Sequence, residues 1–286
     1  TCSAINPRLI YASVSGYGQT GPNRERPAYD ILLQAEGGLM SITGEQEGGS
    51  VKTGIAIADL TTALFSIQGI LLAIIAREKT GRGQYIDMAI QDGQAALMSH
   101  AAGTFFGTGV PPGKMGNRHP SICPYRDFQC SDGTLIVAAA NDSLWDRFAR
   151  AIGRADLADD PKWKINDDRV KGRDELEAIL DETMKSKTRA QWAEAISKGG
   201  VPCGPVKNVG EVASDPQVLH REMVIEMEHA TTGTLKMMGI PVKLSDTPGE
   251  AKLPPPLLGE HTDEILGGLL GHSDSKITEL RDKNVI

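Results

Sequence analysis

Apolar and polar positions along the chain follow two different periods. Residues 7–15 (PRLIYASVS) form the apolar, β-branched run of a buried strand, and a glycine-rich stretch follows at 16–22. Residues 30–40 (DILLQAEGGLM) place Ile31, Leu32, Leu33 and Ala35 on a helix that the Gly37-Gly38 pair ends. A polar glycine loop occupies 44–50. Residues 51–58 look extended and lead directly into Asp59 and a long apolar segment. Residues 80–83 (TGRG) interrupt the pattern, and 84–90 (QYIDMAI) alternate as a strand does. Strand and helix patterns in alternation predict a layered α/β domain.

The character changes after residues 110–113 (VPPG). Residues 125–130, the Asp132-Gly133 turn and residues 134–139 predict a β-hairpin, because Asp-Gly supplies the positive-φ turn. Helical patterns follow near 143–153, 173–185 and 189–198, the last opening with a Thr188/Gln191 capping box. A second hairpin is expected over 224–238 around Thr231-Thr232-Gly233, and a final helix near Thr262 after three prolines at 254–256. The organisation expected is a large α/β region at 1–119, a smaller α+β domain at 120–227, and a return to the large domain at 228–286.

The most apolar window, Leu60 to Ala76, is short for a membrane span and is broken by Thr61, Thr62, Ser66 and Gln68. It predicts a helix buried in the core. A net charge of −7 argues against a nucleic-acid-binding face. Cys2, Cys123, Cys130 and Cys203 are scattered without a CxxC spacing, so no metal site is indicated. They suggest reduced thiols in the cytoplasm or, in a eukaryote, the mitochondrial matrix. Glycine is abundant, 32 of 286 residues, about 11% against an average near 7%. No GxGxxG, Walker, HExxH or GxSxG motif occurs.

What remains is an isolated carboxylate among glycines. Asp59 stands where the extended segment meets the apolar helix, and two readings share that geometry. It is either an N-cap or a nucleophilic carboxylate favoured by the positive helix end. Spacing does not separate them. Asp30, after Tyr29, is open to the same capping reading. The six histidines show no ligand spacing. Lys79 and Arg82 form a basic glycine turn that suits a solvated connection or a phosphate. Residues 113–120 (GKMGNRHP) read equally as a linker or as a donor-rich loop.

Several segments together resemble the class III CoA-transferases, of the formyl-CoA and carnitine CoA-transferase type. These are SGYGQTGP at 15–22, Tyr29-Asp30, GIAIADLTTALF at 54–65, EKTGRGQYIDMAIQD at 78–92 and GNRHPSICPY at 116–125. GVPCGPV at 200–206, DPQVLHREMVIEMEH at 215–229 and PPPLLGEHT at 254–262 complete the set, in family order across the chain.

The resemblance implies a Rossmann-like parallel sheet in the large domain, incomplete here because the family's N-terminal portion is missing. It implies that Asp59 is the nucleophile, passing through aspartyl anhydride and aspartyl-CoA thioester intermediates. The co-substrate is a CoA thioester, with no tightly bound cofactor and no metal. Acyl-CoA and small carboxylic acids are the partners, and an interlocked homodimer the assembly, with no role for nucleic acid or membrane. Tyr29 and Asp30 are expected beside the nucleophile, with the Gly116-Asn117 loop closing over it. Lys79, Arg82 and Ile90 lie in the segment that approaches CoA in relatives. The α-methylacyl-CoA racemases of the same superfamily carry a histidine before the Asp that Tyr29 precedes here. A phenol, with an ordinary pKa near 10, suits proton abstraction at neutral pH poorly, which favours transfer over racemisation. The GNRHP sequence replaces the multi-glycine loop of the formyl-CoA transferases, which argues against formyl or oxalyl specificity.

Overall fold

Strands β1 (Tyr11–Ser15) and β2 (Tyr85–Ala89) pair in parallel, Tyr11 opposite Tyr85 and Ser15 opposite Ala89, in a computed structural model describing residues 2–286. Parallel neighbours need a long crossover. Here it contains α2 (Asp30–Glu36), the short α3 (Leu39–Ile42) and the 24-residue α4 (Ile57–Thr80), after a first helical turn α1 (Cys2–Ile5). The predicted strands and the α2 break at Gly37-Gly38 are therefore present. Residues 51–56 hold no regular strand, and the long helix begins at Ile57, so Asp59 lies inside its first turn. Gly81, at φ +72°, ends α4 by donating its N–H to the Arg77 carbonyl at 2.8 Å. After β2 come α5 (Ile90–Leu97) and α6 (Ser99–Thr108).

Helix α4 corrects one expectation. Its buried residues are Ala58, Thr61, Thr62, Ser66 and Ala73, small or hydroxyl-bearing side chains that let the helix sit close to its neighbours. The large apolar ones point away: Leu64 is 70% exposed, and Leu60, Ile67, Leu71, Leu72 and Ile75 are exposed too. The helix is apolar around most of its circumference, whereas β1, β2, α2 and α5 cover one side only. It is also longer than the window suggested, and by length and composition it is able to cross a bilayer.

Between β2 and residue 205 a second core forms. Strands β3 (Tyr125–Cys130), β4 (Gly133–Ala138) and β5 (Cys203–Pro205) make an antiparallel sheet in that order. Helices α7 (Asp142–Ala151), α8 (Ala155–Asp159), α9 (Asn166–Lys171), α10 (Arg173–Met184) and α11 (Arg189–Lys198) accompany it. Phe128, Leu135, Trp145, Phe148, Leu176 and Ile196 pack there, all essentially inaccessible. Both halves of the expected Thr188/Gln191 capping box are made.

The chain divides into two compact units after Pro205. The expected boundaries at 119/120 and 227/228 fall inside these units. The second unit, Val206–Ile286, holds α12 (Val209–Ala213), α13 (Pro216–His220) and the expected hairpin of β6 (Val224–His229) and β7 (Gly233–Met238). The helix expected near Thr262 is a π-type turn over Glu264–Leu269, followed by α14 (Asp274–Asp282), which Ser273 caps. All told the fold is mixed α/β with a parallel strand pair.

Candidate active site

The first turn of a helix leaves backbone N–H groups without partners, and a carboxylate is a favoured acceptor there. For α4 that carboxylate is Asp30. Its Oδ1 accepts the Ala58 N–H at 2.9 Å and, less closely, the Asp59 N–H at 3.4 Å. Asp30 begins α2, so the cap of α4 comes from another helix. The local cap residue, Ala56, offers no side-chain acceptor. Asp59 is thus not the N-cap. Its side chain is exposed, and among the described residues no donor or cation binds its carboxylate.

Asp59 opens on a cleft of about 440 Å³ lined also by Val14, Thr62, Ala63, Ser66, Ile67 and Ile90. The walls are almost wholly apolar. Thr62 turns its hydroxyl inward, donating it to the Ala58 carbonyl at 2.7 Å. A carboxylate oxygen beside apolar walls is suited to attack an uncharged carbonyl carbon once a bound substrate fills the cleft and displaces its water.

The other expected residues divide. Ile90 shares the Asp59 cleft. Tyr29 caps α2 through its backbone, its carbonyl accepting the Leu32 and Leu33 N–H groups, and its ring is 77% exposed. Gly116 meets the 44–48 loop: its N–H donates to the Gly44 carbonyl at 2.9 Å, and at φ +59° a Cβ there would stand 2.8 Å from Glu45 Oε2. Lys114 reinforces this contact through the Gly48 carbonyl, and Asn117 is exposed. Lys79 lies in the last turn of α4, about 30 Å from Asp59 at 1.5 Å per residue, and Arg82 lies beyond the helix end.

Two groups that the sequence did not single out hold this region. Tyr17 donates to Glu36 at 2.9 Å, Arg26 pairs with Glu36 at 2.7 Å, and the Arg26 guanidinium lies 4.8 Å from the centre of the Tyr17 ring. Arg26 first, and then Tyr17, hold the Glu36 carboxyl below its usual range. Burial, then the Glu36 hydrogen bond, raises the Tyr17 phenol. This ties the 16–22 loop to α2. The other group is Gln34, fully buried, which donates to Asp30. Its one sequence signal is the i, i+4 spacing from Asp30. Among the described residues no cluster of His, Cys, Asp and Glu is able to hold a metal ion.

A family model for CoA-transferase family III matches residues 1–262. Human succinyl-CoA:glutarate CoA-transferase is 38% identical over 282 residues, 99% of this chain and 64% of that protein. The acetyl-CoA:oxalate CoA-transferase of Acetobacter aceti is 41% identical over 256 residues, 87% of this chain and 64% of that protein. A CaiB/BaiF family protein of known crystal structure from Brucella suis superposes with a TM-score of 0.83 at 37% identity, covering 93% of this chain and 69% of that one. The chain therefore spans less than two thirds of the length of these two CoA-transferases. With the parallel strand pair, the crossover helix and the free carboxylate at its start, these similarities establish that the chain belongs to CoA-transferase family III.

Proposed function

We propose that the protein moves CoA from an acyl-CoA donor to a carboxylic-acid acceptor, with Asp59 as the nucleophile. The observation that carries this is the division of labour at the start of α4. Asp30 takes the capping role, and Asp59 keeps a carboxylate without a partner among the described residues, at the mouth of an apolar cleft.

An Asp59 oxygen adds to the thioester carbonyl, and the C–S bond breaks to give an aspartyl–acyl anhydride and CoA thiolate. The thiolate then attacks the aspartyl carbonyl, releasing the donor acid and leaving an aspartyl–CoA thioester. The acceptor carboxylate displaces the thiolate to form a second anhydride. Attack of the thiolate on the acceptor's acyl carbon yields the new acyl-CoA and restores Asp59. Each step exchanges one activated acyl bond for another of similar energy, so the transfer runs without ATP provided water is kept out.

Succinyl-CoA as donor and a small dicarboxylic acid as acceptor are the first pair to assay, since relatives are named for succinyl-CoA with glutarate. Oxalate stays among the acceptors despite the GNRHP loop, because the Acetobacter relative is named for it. A homodimer is part of this reading, and light scattering of the complete protein checks it. Asp59→Ala tests the assignment: CoA transfer should fall by at least about 10³-fold, the scale on which nucleophile removal acts. Transfer at a tenth of the wild-type rate would sink it.

A further inference from the structure

We infer that Gln34 and Asp30 act as one positioning pair that fixes the backbone of Asp59, an inference that rests on Asp59 being the nucleophile. Gln34 is fully buried in α2, and all its polar capacity is directed at the approach to α4. Its Oε1 accepts the Thr53 N–H at 2.9 Å and the Thr53 hydroxyl at 3.3 Å. Its Nε2 donates to Asp30 Oδ2 at 2.5 Å and, at 3.5 Å, towards the Ile55 carbonyl.

The amide orientation is dictated by chemistry. A backbone N–H only donates, so the oxygen of Gln34 must face Thr53, and its NH₂ must then face Asp30. That leaves Asp30 Oδ1 for the Ala58 N–H. The result is an unbroken chain of hydrogen bonds: Thr53 to Gln34, Gln34 to Asp30, Asp30 to the first turn of α4. Residues 51–56 have no strand partner to hold them. The pair replaces that missing ladder and sets where the segment ends and the helix begins. Since Asp59 follows Ala58 directly, the angle at which its carboxylate leaves the turn depends on this contact. Misplacement of a reacting group by about 1 Å costs on the order of 10²-fold in rate.

Two substitutions and their combination test this in the complete protein. Asp30→Asn keeps an oxygen for Ala58 but sets N–H groups against the Gln34 N–H groups. Gln34→Glu keeps an oxygen for Thr53 but sets two carboxylates against each other. The double variant exchanges donor and acceptor across the contact, so Thr53, position 30 and the Ala58 N–H are satisfied again, while the Ile55 carbonyl keeps only the Thr53 hydroxyl as its donor. Each single variant should lower kcat by about 10-fold or more with KM for acyl-CoA within about 2-fold, and the double should return to within about 3-fold of wild type. Amide deuterium exchange over residues 53–60 should speed up in the singles and slow again in the double. The Gln34→Glu variant should also regain rate as pH falls, since one shared proton relieves the repulsion.

A double variant no better than the poorer single overturns the pair, as do singles that exchange and turn over like wild type. An Asp59→Ala protein that still transfers CoA overturns the functional reading instead. Normal exchange in the singles, with Asp59→Ala inactive, removes the pair and leaves that reading standing.

Discussion

Arg118 donates through Nε to Glu177 Oε2 at 2.8 Å, fastening the 113–120 loop to helix α10. Arg126 reaches the same oxygen at 2.8 Å and Asp181 at 3.0 Å, and Glu177 is nearly inaccessible. Removing a buried partner costs more than the pair contributes, because the charge left behind stays desolvated. Glu177→Ala should therefore destabilise the protein by about 3 kcal/mol, read from the shift in a denaturant midpoint. A loss under about 1 kcal/mol would mean that solvent reaches this cluster freely.

Thiol chemistry should follow burial. All four cysteines are free, with Cys2 exposed and Cys123 buried. Burial first, then the charge of Glu177, pushes the Cys123 thiol up to about 11. At pH 8 its thiolate fraction is then about one in a thousand. Timed iodoacetamide labelling followed by peptide mass analysis should find Cys2 modified first and Cys123 untouched until the chain unfolds. Early labelling of Cys123 contradicts this.

The Tyr17–Glu36–Arg26 group sets limits at both ends of the pH scale. The Glu36 carboxyl is held below its ordinary value near 4.5, so its stabilisation is complete above that pH and is lost as pH falls through the lowered value. The Tyr17 phenol is raised, so its contribution is present below pH 10 and disappears as pH rises past the raised value. Melting temperatures from pH 2.5 to 6 should show a shallower acid limb for Glu36→Gln than for wild type. Identical limbs would remove Glu36 from the account.

The exposed face of α4 makes a contrast with the second core. Phe148→Ala, at an inaccessible position, should cost about 3–5 kcal/mol. Leu64→Ala, where most of the side chain meets solvent, should cost under about 0.5 kcal/mol in the 286-residue chain. A loss for Leu64 comparable with that for Phe148 contradicts the exposure described for it.

Several features were legible in the sequence because their cause is local, although the Asn208/Glu211 capping box, equally local, was not read. The Asp132-Gly133 turn, the Thr188/Gln191 box and the Gly37-Gly38 break each act within a few residues, and all are present. The ambiguity at Asp59 had the opposite origin. Its competitor for the helix end, Asp30, lies 29 residues earlier, and no spacing rule joins them. Gln34 stayed hidden because a polar residue in DILLQAE reads as the wet side of a helix, whereas here it is buried. For α4, the pattern revealed an apolar helix but not which side its neighbours would cover. Its small and hydroxyl-bearing face packs inward, against the usual expectation from hydropathy alone. Helix length places Lys79 about 30 Å from Asp59, a separation that the motif alone did not reveal.

Covalent capture at Asp59 tests the central claim most directly. The complete protein is incubated with succinyl-CoA, quenched with hydroxylamine or borohydride, and digested for mass mapping. An aspartyl–CoA thioester or anhydride should yield a hydroxamate or an alcohol in the peptide containing Asp59, and none in an Asp59→Ala control. Modification at another carboxylate, with Asp59 unchanged in a protein that is turning over, would contradict the account.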